Sequence, residues 1–420
     1  MAGAAPMRWL PVALAVTAIA LGVGVAVKAP CLFHEWDGYQ YTQRCYNDLI
    51  PLYTVRHLGD PSEVPYASFV PPADGASVDS SRGFNEYPTL TGLAQYLAAR
   101  VSVDGGTFFV ATAILLGLCA LAVTVLLERG GARPAWLVGW AVAPPLALYA
   151  FHNWDLLAVA LATGGLVARR RGHPATSGAL LALGASAKIY PALFLVLVGC
   201  DLLRVEGGLR RAGWRFGLAA AATFVVVQGP FLLLNVQGWF ATYQFHLLRG
   251  VTVETPWAVL GHWAEGAPGL QTFFEHTLPA AASVLFVALL AVLGHAVAKG
   301  RLALMHACLA AVALFLLLNK VHSVQYALWV MPLLALAEVR WWAWFPYLLG
   351  DALVFWTIWP FFHELDTGGD SWLVFTIAVL VRAAGQAILA VAAVRAGWRP
   401  SAPVRATLSD VPQAQQEPLL

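Results

Sequence analysis

The chain has 420 residues, of which 59% are hydrophobic and 11% carry a formal charge, against about 25% charged in an ordinary soluble domain. A mean hydropathy of +0.68, with 17 Trp and 37 Gly, excludes soluble enzymes, disordered chains, collagen and disulfide scaffolds, and fits a polytopic helical membrane protein. The formal net charge of +2 is too small to point to a nucleic-acid partner, so the electrostatic information lies in how charge is distributed along the chain.

An all-α integral membrane fold with about twelve transmembrane helices is predicted. The apolar segments run at Trp9 to Val27, Thr107 to Leu127, Ala135 to Ala150, Trp154 to Ala168, Thr176 to Ala187 and Pro191 to Leu203. They continue at Phe216 to Leu234, Leu278 to Ala298, Leu302 to Leu318, Val324 to Ala337, Trp341 to Phe361 and Ser371 to Ala393. The first lacks a small-x-small cleavage site before Lys28 and reads as a helix rather than a signal segment. Several segments are short and meet at polar breaks, around His152, Asn153 and Asp155 and again at Lys188 to Pro191. Such recessed ends are tolerated only within protein or beside a water-filled cavity, so an outward-facing polar cavity is expected.

Cytoplasmic loops retain Lys and Arg. With both termini inside, sixteen basic residues fall in cytoplasmic segments and eight outside, whereas 16 of the 23 acids fall outside. Residues 1–394 then form one membrane domain with two long extracytoplasmic segments, 28–106 and 235–277. The Pro-, Ala- and Gln-rich stretch 395–420 reads as a disordered cytoplasmic tail. Stretches from Leu49 to Leu58 and from Leu90 to Ala99 read as amphipathic helices of the first long loop.

That loop holds Asp37, Arg44, Asp48, Glu86 and Tyr87. A solvated loop is the plainer account of Glu35; Asp48 differs because it opens an amphipathic stretch along the membrane interface. Asp48, Glu86 and Asp155 converge at one depth in this topology, with Asp155 equally well placed to cap the helix it opens. Lys188, beside Tyr190, and Lys320, in a run with Asn319, His322, Gln325 and Tyr326, sit at the outer ends of apolar segments. Ionisable groups there are expensive and mark functional sites unless they snorkel to headgroups, and the donor density around Lys320 suits a phosphate. Asp351 and Arg382 lie inside segments and are expected to pair structurally. Cys31 and Cys45, 14 residues apart outside the cytoplasm, are expected to form a disulfide, and Cys119, Cys200 and Cys308 fall in helices. No P-loop, dinucleotide fingerprint, zinc spacing or Ser-His-Asp order is present, so no metal site and no cofactor are expected.

The ordered set CYND (45–48), EYPTLTG (86–92), NWDLLAVAL (153–161), ASAKIYPALF (185–194) and NKVHSVQYALWVMPL (319–333) resembles the polyprenyl-phosphate-mannose-dependent mannosyltransferases of glycosyltransferase family 87, of the GT-C class. The resemblance spans about Cys31 to Leu333 in matching order, although each motif alone is weak. It implies a GT-C fold, a polyprenyl-phosphate sugar donor, a glycolipid or cell-wall glycan acceptor, and transfer on the extracytoplasmic side of the plasma membrane, among membrane lipids. The sugar is usually mannose, with arabinose the competitor. It also implies an essential Asp in the first outer loop. Asp48 fits that position, with Asn47 where relatives commonly carry Ser, and Asp37 competes for the role.

An acceptor hydroxyl must lose a proton as it attacks the anomeric carbon, so Asp48 and His322 are expected as the catalytic pair. The leaving lipid phosphate needs fixed positive charge in a site of low dielectric, expected from Lys188 and Lys320 with Arg44 in reserve. Asp37, Glu86, Tyr87, Asn153, Asp155, Tyr190, Asn319, Gln325 and Tyr326 are expected to line the substrate site. The rivals are a twelve-span transporter or lipid-linked sugar flippase, which usually shows two related halves that are not found here, and a non-catalytic lipid-binding subunit.

Overall fold

In a computed structural model, residues 9–32, 34–72, 77–203 and 209–399 are described. The protein is all-helical, 76% of it in helices, with no strand among the described residues. Six helices are long and apolar enough to cross a membrane: Leu10–Leu32, Gly105–Arg129, Arg211–Leu234, Pro268–Ala298, Trp341–Leu365 and Trp372–Gly397. Shorter apolar helices stand between them, among them Asp155–Arg170, Pro174–Ala187, Pro191–Leu203 and Leu304–Leu318. At 1.5 Å per residue these shorter helices reach about 20–24 Å, less than the roughly 30 Å hydrocarbon thickness. Helices of that length are too short to cross it upright, and the polar breaks at 150–154 and 188–190 are non-helical as the sequence suggests.

Two segments differ from expectation. The stretch Ala135 to Ala150 is two helices, Pro134–Val142 and Pro144–Tyr149, because Ala143 precedes a proline and takes an extended backbone (φ −64°, ψ 133°). The expected tail from 395 begins later: the last helix continues to Gly397, and Arg399 N donates to the Arg301 carbonyl at 2.7 Å. The rest of that tail, 400–420, lies outside the described residues.

The helices alternate in direction. One end of the bundle gathers Lys28, Asp48, Asn153, Lys188 and the turn 319–323. The other gathers the ion pairs Arg133–Glu338 (2.6 Å) and Arg169–Asp201 (2.5 Å). At the centre lies Ala327–Ala337, all eleven of whose residues are buried, as expected of a helix that is hydrophobic on every face. Trp341–Thr367 and Trp372–Gly397 cross closely where Gly350 meets the Arg382 backbone and Gly385 meets Tyr347, positions with no room for a Cβ. Within that contact Arg382 faces Asp351 at 3.9 Å and donates to the Glu254 carbonyl at 2.7 Å, while Tyr149 donates to Asp351 at 3.1 Å. This pair is a structural tie between the two helices and the second long loop.

The first long loop contributes the helices Leu49–Val55 and Thr89–Arg100, close to the two amphipathic stretches expected. The second contributes Val236–Leu248 and Pro256–Trp263, then runs without a break from Pro268 into the span ending at Ala298. Cys31 and Cys45 are disulfide-bonded, with Cα atoms 5.6 Å apart, and join the end of the first helix to the segment carrying Asp48. The other three cysteines are free.

Candidate functional site

Asp48 immediately precedes the helix Leu49–Val55. Capping falls to its neighbour: the buried Asn47 accepts from Ile50 N through Oδ1 at 3.1 Å. Asp48 is thereby left to the site. Its backbone N–H donates to the His152 carbonyl at 2.8 Å, and its Oδ2 accepts from Asn153 Nδ2 at 2.6 Å. Burial and the nearby charge of Glu86 raise its pKa to about 6, against hydrogen bonds from Asn153 and Tyr46 and the charge of Lys188, which favour the carboxylate.

Asp48 lines a cavity of about 540 Å³ together with Tyr46, Glu86, Tyr87, Asn153, Lys188, Tyr190, Asn319, Lys320, Gln325 and Tyr326. Ten of the sequence-derived candidates thus surround one space, although their chain positions span 48 to 326. Asn153 organises this wall: its Nδ2 also donates to the Tyr87 hydroxyl at 2.8 Å, and its Oδ1 accepts from Lys188 at 3.4 Å. Lys188 pairs with Asp155 at 2.7 Å and stands 5.6 Å, 5.2 Å and 6.0 Å from the ring centroids of Tyr87, Tyr326 and Trp329. Tyr190, Trp329 and Tyr326 stack in series, with centroids 4.2 Å and 3.9 Å apart. Asp155 is fully buried behind the wall, where Oδ1 accepts from Trp329 Nε1 at 2.6 Å. It orients Lys188 rather than facing the cavity itself.

The break after Leu318 is a non-helical turn, as Asn319 and Ser323 suggest. It turns Lys320 onto the second long loop, where Nζ donates to the carbonyls of Leu247 (2.8 Å) and Arg249 (2.7 Å). Asn319 is fixed by Nδ2 donating to the Val321 carbonyl at 2.8 Å. Glu86 pairs with Arg56 at 3.1 Å.

Besides Asp155, three candidates lie outside this cavity. His322 is absent from the cavity lining: it is buried behind the turn, its N–H donating to Thr252 Oγ1 and its Nε2 facing the Gln386 amide, each at 2.9 Å. Its backbone bond to Thr252 and its ring contact with Gln386 hold it on that side, so the structure does not bring His322 to Asp48. Arg44 lies with its guanidinium 4.8 Å from the Trp356 ring, away from the cavity. Asp37 is exposed on the loop and does not line it either.

The structure adds residues that the sequence did not single out. Lys28 ends the first helix fully buried, its Nζ donating to the Tyr46 carbonyl at 2.5 Å and standing 3.5 Å from His152 Nδ1. Its position after an uninterrupted apolar run was the available signal. His246, whose Nε2 meets the Glu86 carbonyl at 2.8 Å, and Arg249 line the cavity from the second long loop. Burial holds the His246 imidazole below the usual histidine range. Among the described residues no group of three His, Cys, Asp or Glu is arranged to hold a metal ion.

The arrangement is two carboxylates, Asp48 and the Arg56-paired Glu86, beside three cations, Lys188, Lys320 and Arg249, in an aromatic-walled recess. It suits an anionic ligand with a neutral nucleophile next to it. No protein-family model and no curated protein matches this chain.

Proposed function

We propose that the protein is a membrane glycosyltransferase of GT-C type that moves a sugar, mannose in the first instance, from a polyprenyl-phosphate donor to a hydroxyl of a glycolipid or cell-wall glycan. In this reading twelve helical traverses cross the plasma membrane with both termini cytoplasmic, and the cavity opens on the extracytoplasmic side. The observation that carries it is the convergence of Asp48 with Lys188 and Lys320 around one cavity of about 540 Å³, together with residues of all five motifs that resemble family 87.

Asp48 takes the proton from the acceptor hydroxyl as that oxygen bonds to the anomeric carbon. The bond between that carbon and the phosphate oxygen breaks, and the phosphate leaves with the electron pair. Lys188, Lys320 and Arg249 supply positive charge there, and Lys320 still has one hydrogen not committed to the Leu247 and Arg249 carbonyls. Ile189, 47% exposed, and Phe315 give the cavity an apolar border along which the donor's tail stays in lipid.

The test is to incubate the purified protein in lipid nanodiscs with polyprenyl-phosphate mannose and candidate glycolipids and to follow the mass of the acceptor. A gain of one hexose is expected. Asp48→Asn should lower the rate at least about 10²-fold, the lower range for acid–base catalysis. Wild-type protein that translocates the donor across vesicles without forming product would sink the reading in favour of a flippase.

A further inference from the structure

The helix Val236–Leu248 stands between two spaces. His246 and the following Arg249 face the cavity of Asp48. Gln237, Phe240, Gln244 and Leu248, spaced as one helical stripe, face a second cleft of about 580 Å³ whose opposite wall is Phe69, Pro71, Pro72, Ser77 and Val78. Arg249 borders both spaces, its guanidinium 5.3 Å from the Phe245 ring centroid.

The cleft is built rather than left over from loose packing. Asn235 caps the helix through Gly238 N at 3.0 Å and donates to the Phe69 carbonyl at 2.9 Å. Gly238 sits against the Tyr66 carbonyl with no room for a Cβ, and Thr242 donates to the Asn85 carbonyl at 2.6 Å. The far wall is held by Tyr66 N and Val70 N donating to the carbonyls of Gly83 and Arg82, each at 3.1 Å. One face of the helix is thus clamped to the first long loop while the neighbouring stripe stays open.

We infer that this cleft is the acceptor site and that it takes a saccharide, whose reacting hydroxyl passes Arg249 to reach Asp48. This rests on the glycosyl-transfer reading above and gives its acceptor a binding site. A sugar ring presents C–H faces to aromatic side chains and hydroxyls to amides, which donate and accept at once. Phe69, Phe240 and Phe245 supply the faces, and Gln237 and Gln244 the amides. The cleft falls within the roughly 300–1,000 Å³ range of small-molecule sites. Among the described residues Arg249 is the only charged one lining the cleft, and the cation cluster of the neighbouring cavity is left to the donor phosphate.

The experiment uses the full chain in nanodiscs with polyprenyl-phosphate mannose as donor and octyl α-mannoside or its α-linked disaccharide as acceptor. Phe240→Ala and Gln244→Ala should each raise the acceptor KM about tenfold, the effect of losing one good contact, with donor KM and kcat unchanged. Val236→Ala, at a solvent-exposed position of the same helix outside the cleft lining, should behave as wild type. Acceptor KM within twofold of wild type in both cleft variants, or a rise in donor KM instead, overturns the acceptor site while leaving glycosyl transfer intact. Wild-type protein that transfers to neither mannoside nor to any glycolipid tested overturns both.

Discussion

Asn153 donates to Asp48 Oδ2 at 2.6 Å although the two residues are 105 apart in the chain. The bond stabilises the ionised carboxylate, opposing burial and Glu86, and the balance leaves Asp48 with a pKa of about 6. A general base works only when ionised, so the wild-type rate should fall as pH drops through about 6. Asn153→Ala removes a contribution that lowers the pKa, and the acid limb should move up by about one pH unit. Rate profiles between pH 5 and 8.5 measure this; an unmoved limb would separate Asn153 from Asp48.

The same raised pKa has a consequence for stability. The folded state binds this proton more tightly than the unfolded chain, so the contribution of Asp48 is most favourable below the unfolded value of about 3.9 and is lost as pH rises through about 6. Asp48→Asn carries no charge to bury. At pH 7.5 its denaturation temperature should equal or exceed that of wild type, even though transfer is lost. A lower temperature would mean that the carboxylate is structural.

Lys188 and Asp155 form an ion pair at 2.7 Å, with the Asp155 side chain fully buried. Lys188→Met leaves that carboxylate without its cation and should destabilise the protein by about 3–5 kcal/mol. The double variant Lys188→Met with Asp155→Asn should recover most of the stability and none of the donor binding. A double-mutant cycle on denaturation temperature and donor KM checks both; full recovery of donor binding would remove Lys188 from the phosphate site.

Lys28 and His152 hold the short segment that carries Asp48, through the Tyr46 carbonyl and the Asp48 N–H respectively. Lys28→Met should lower kcat about tenfold, the effect of a slightly misplaced base, with donor KM unchanged because Lys28 does not line the cavity. A proportional rise in donor KM would count against this positioning role.

The Cys31–Cys45 bridge closes a short loop over the same segment. Replacing both cysteines by Ala should cost about 3 kcal/mol by the chain-entropy account and should lower kcat more than donor KM rises. Chemical denaturation of the two forms and their kinetics provide the check.

Apolar run length, the two recessed breaks and the spacing of Asn319 and Ser323 follow from the sequence alone, because backbone hydrogen bonds inside lipid must be made within each helix. Hence Pro191–Leu203 appears with the bounds its hydrophobicity gives it, and the helix ending at Ala298 stops where predicted although it begins earlier, at Pro268. Most of the polar lining residues were legible for a related reason, since polar groups at the ends of apolar runs are costly unless they are used, and the two cysteines because both fall in the predicted first outer loop. Local pattern did not tell which way a turn points its side chains. His322 belongs to the same polar run as Lys320, yet it turns toward Gln386 because Thr252 holds its backbone. Nor did pattern show that Lys28, a charge at a helix end like several others, would be buried against Tyr46 and His152, or that Val236–Leu248 would divide one space from another. Those outcomes depend on contacts between separate segments, 64 residues apart for His322 and Gln386 and 124 for Lys28 and His152, whose close packing admits one arrangement and leaves no trace in the spacing of any single segment.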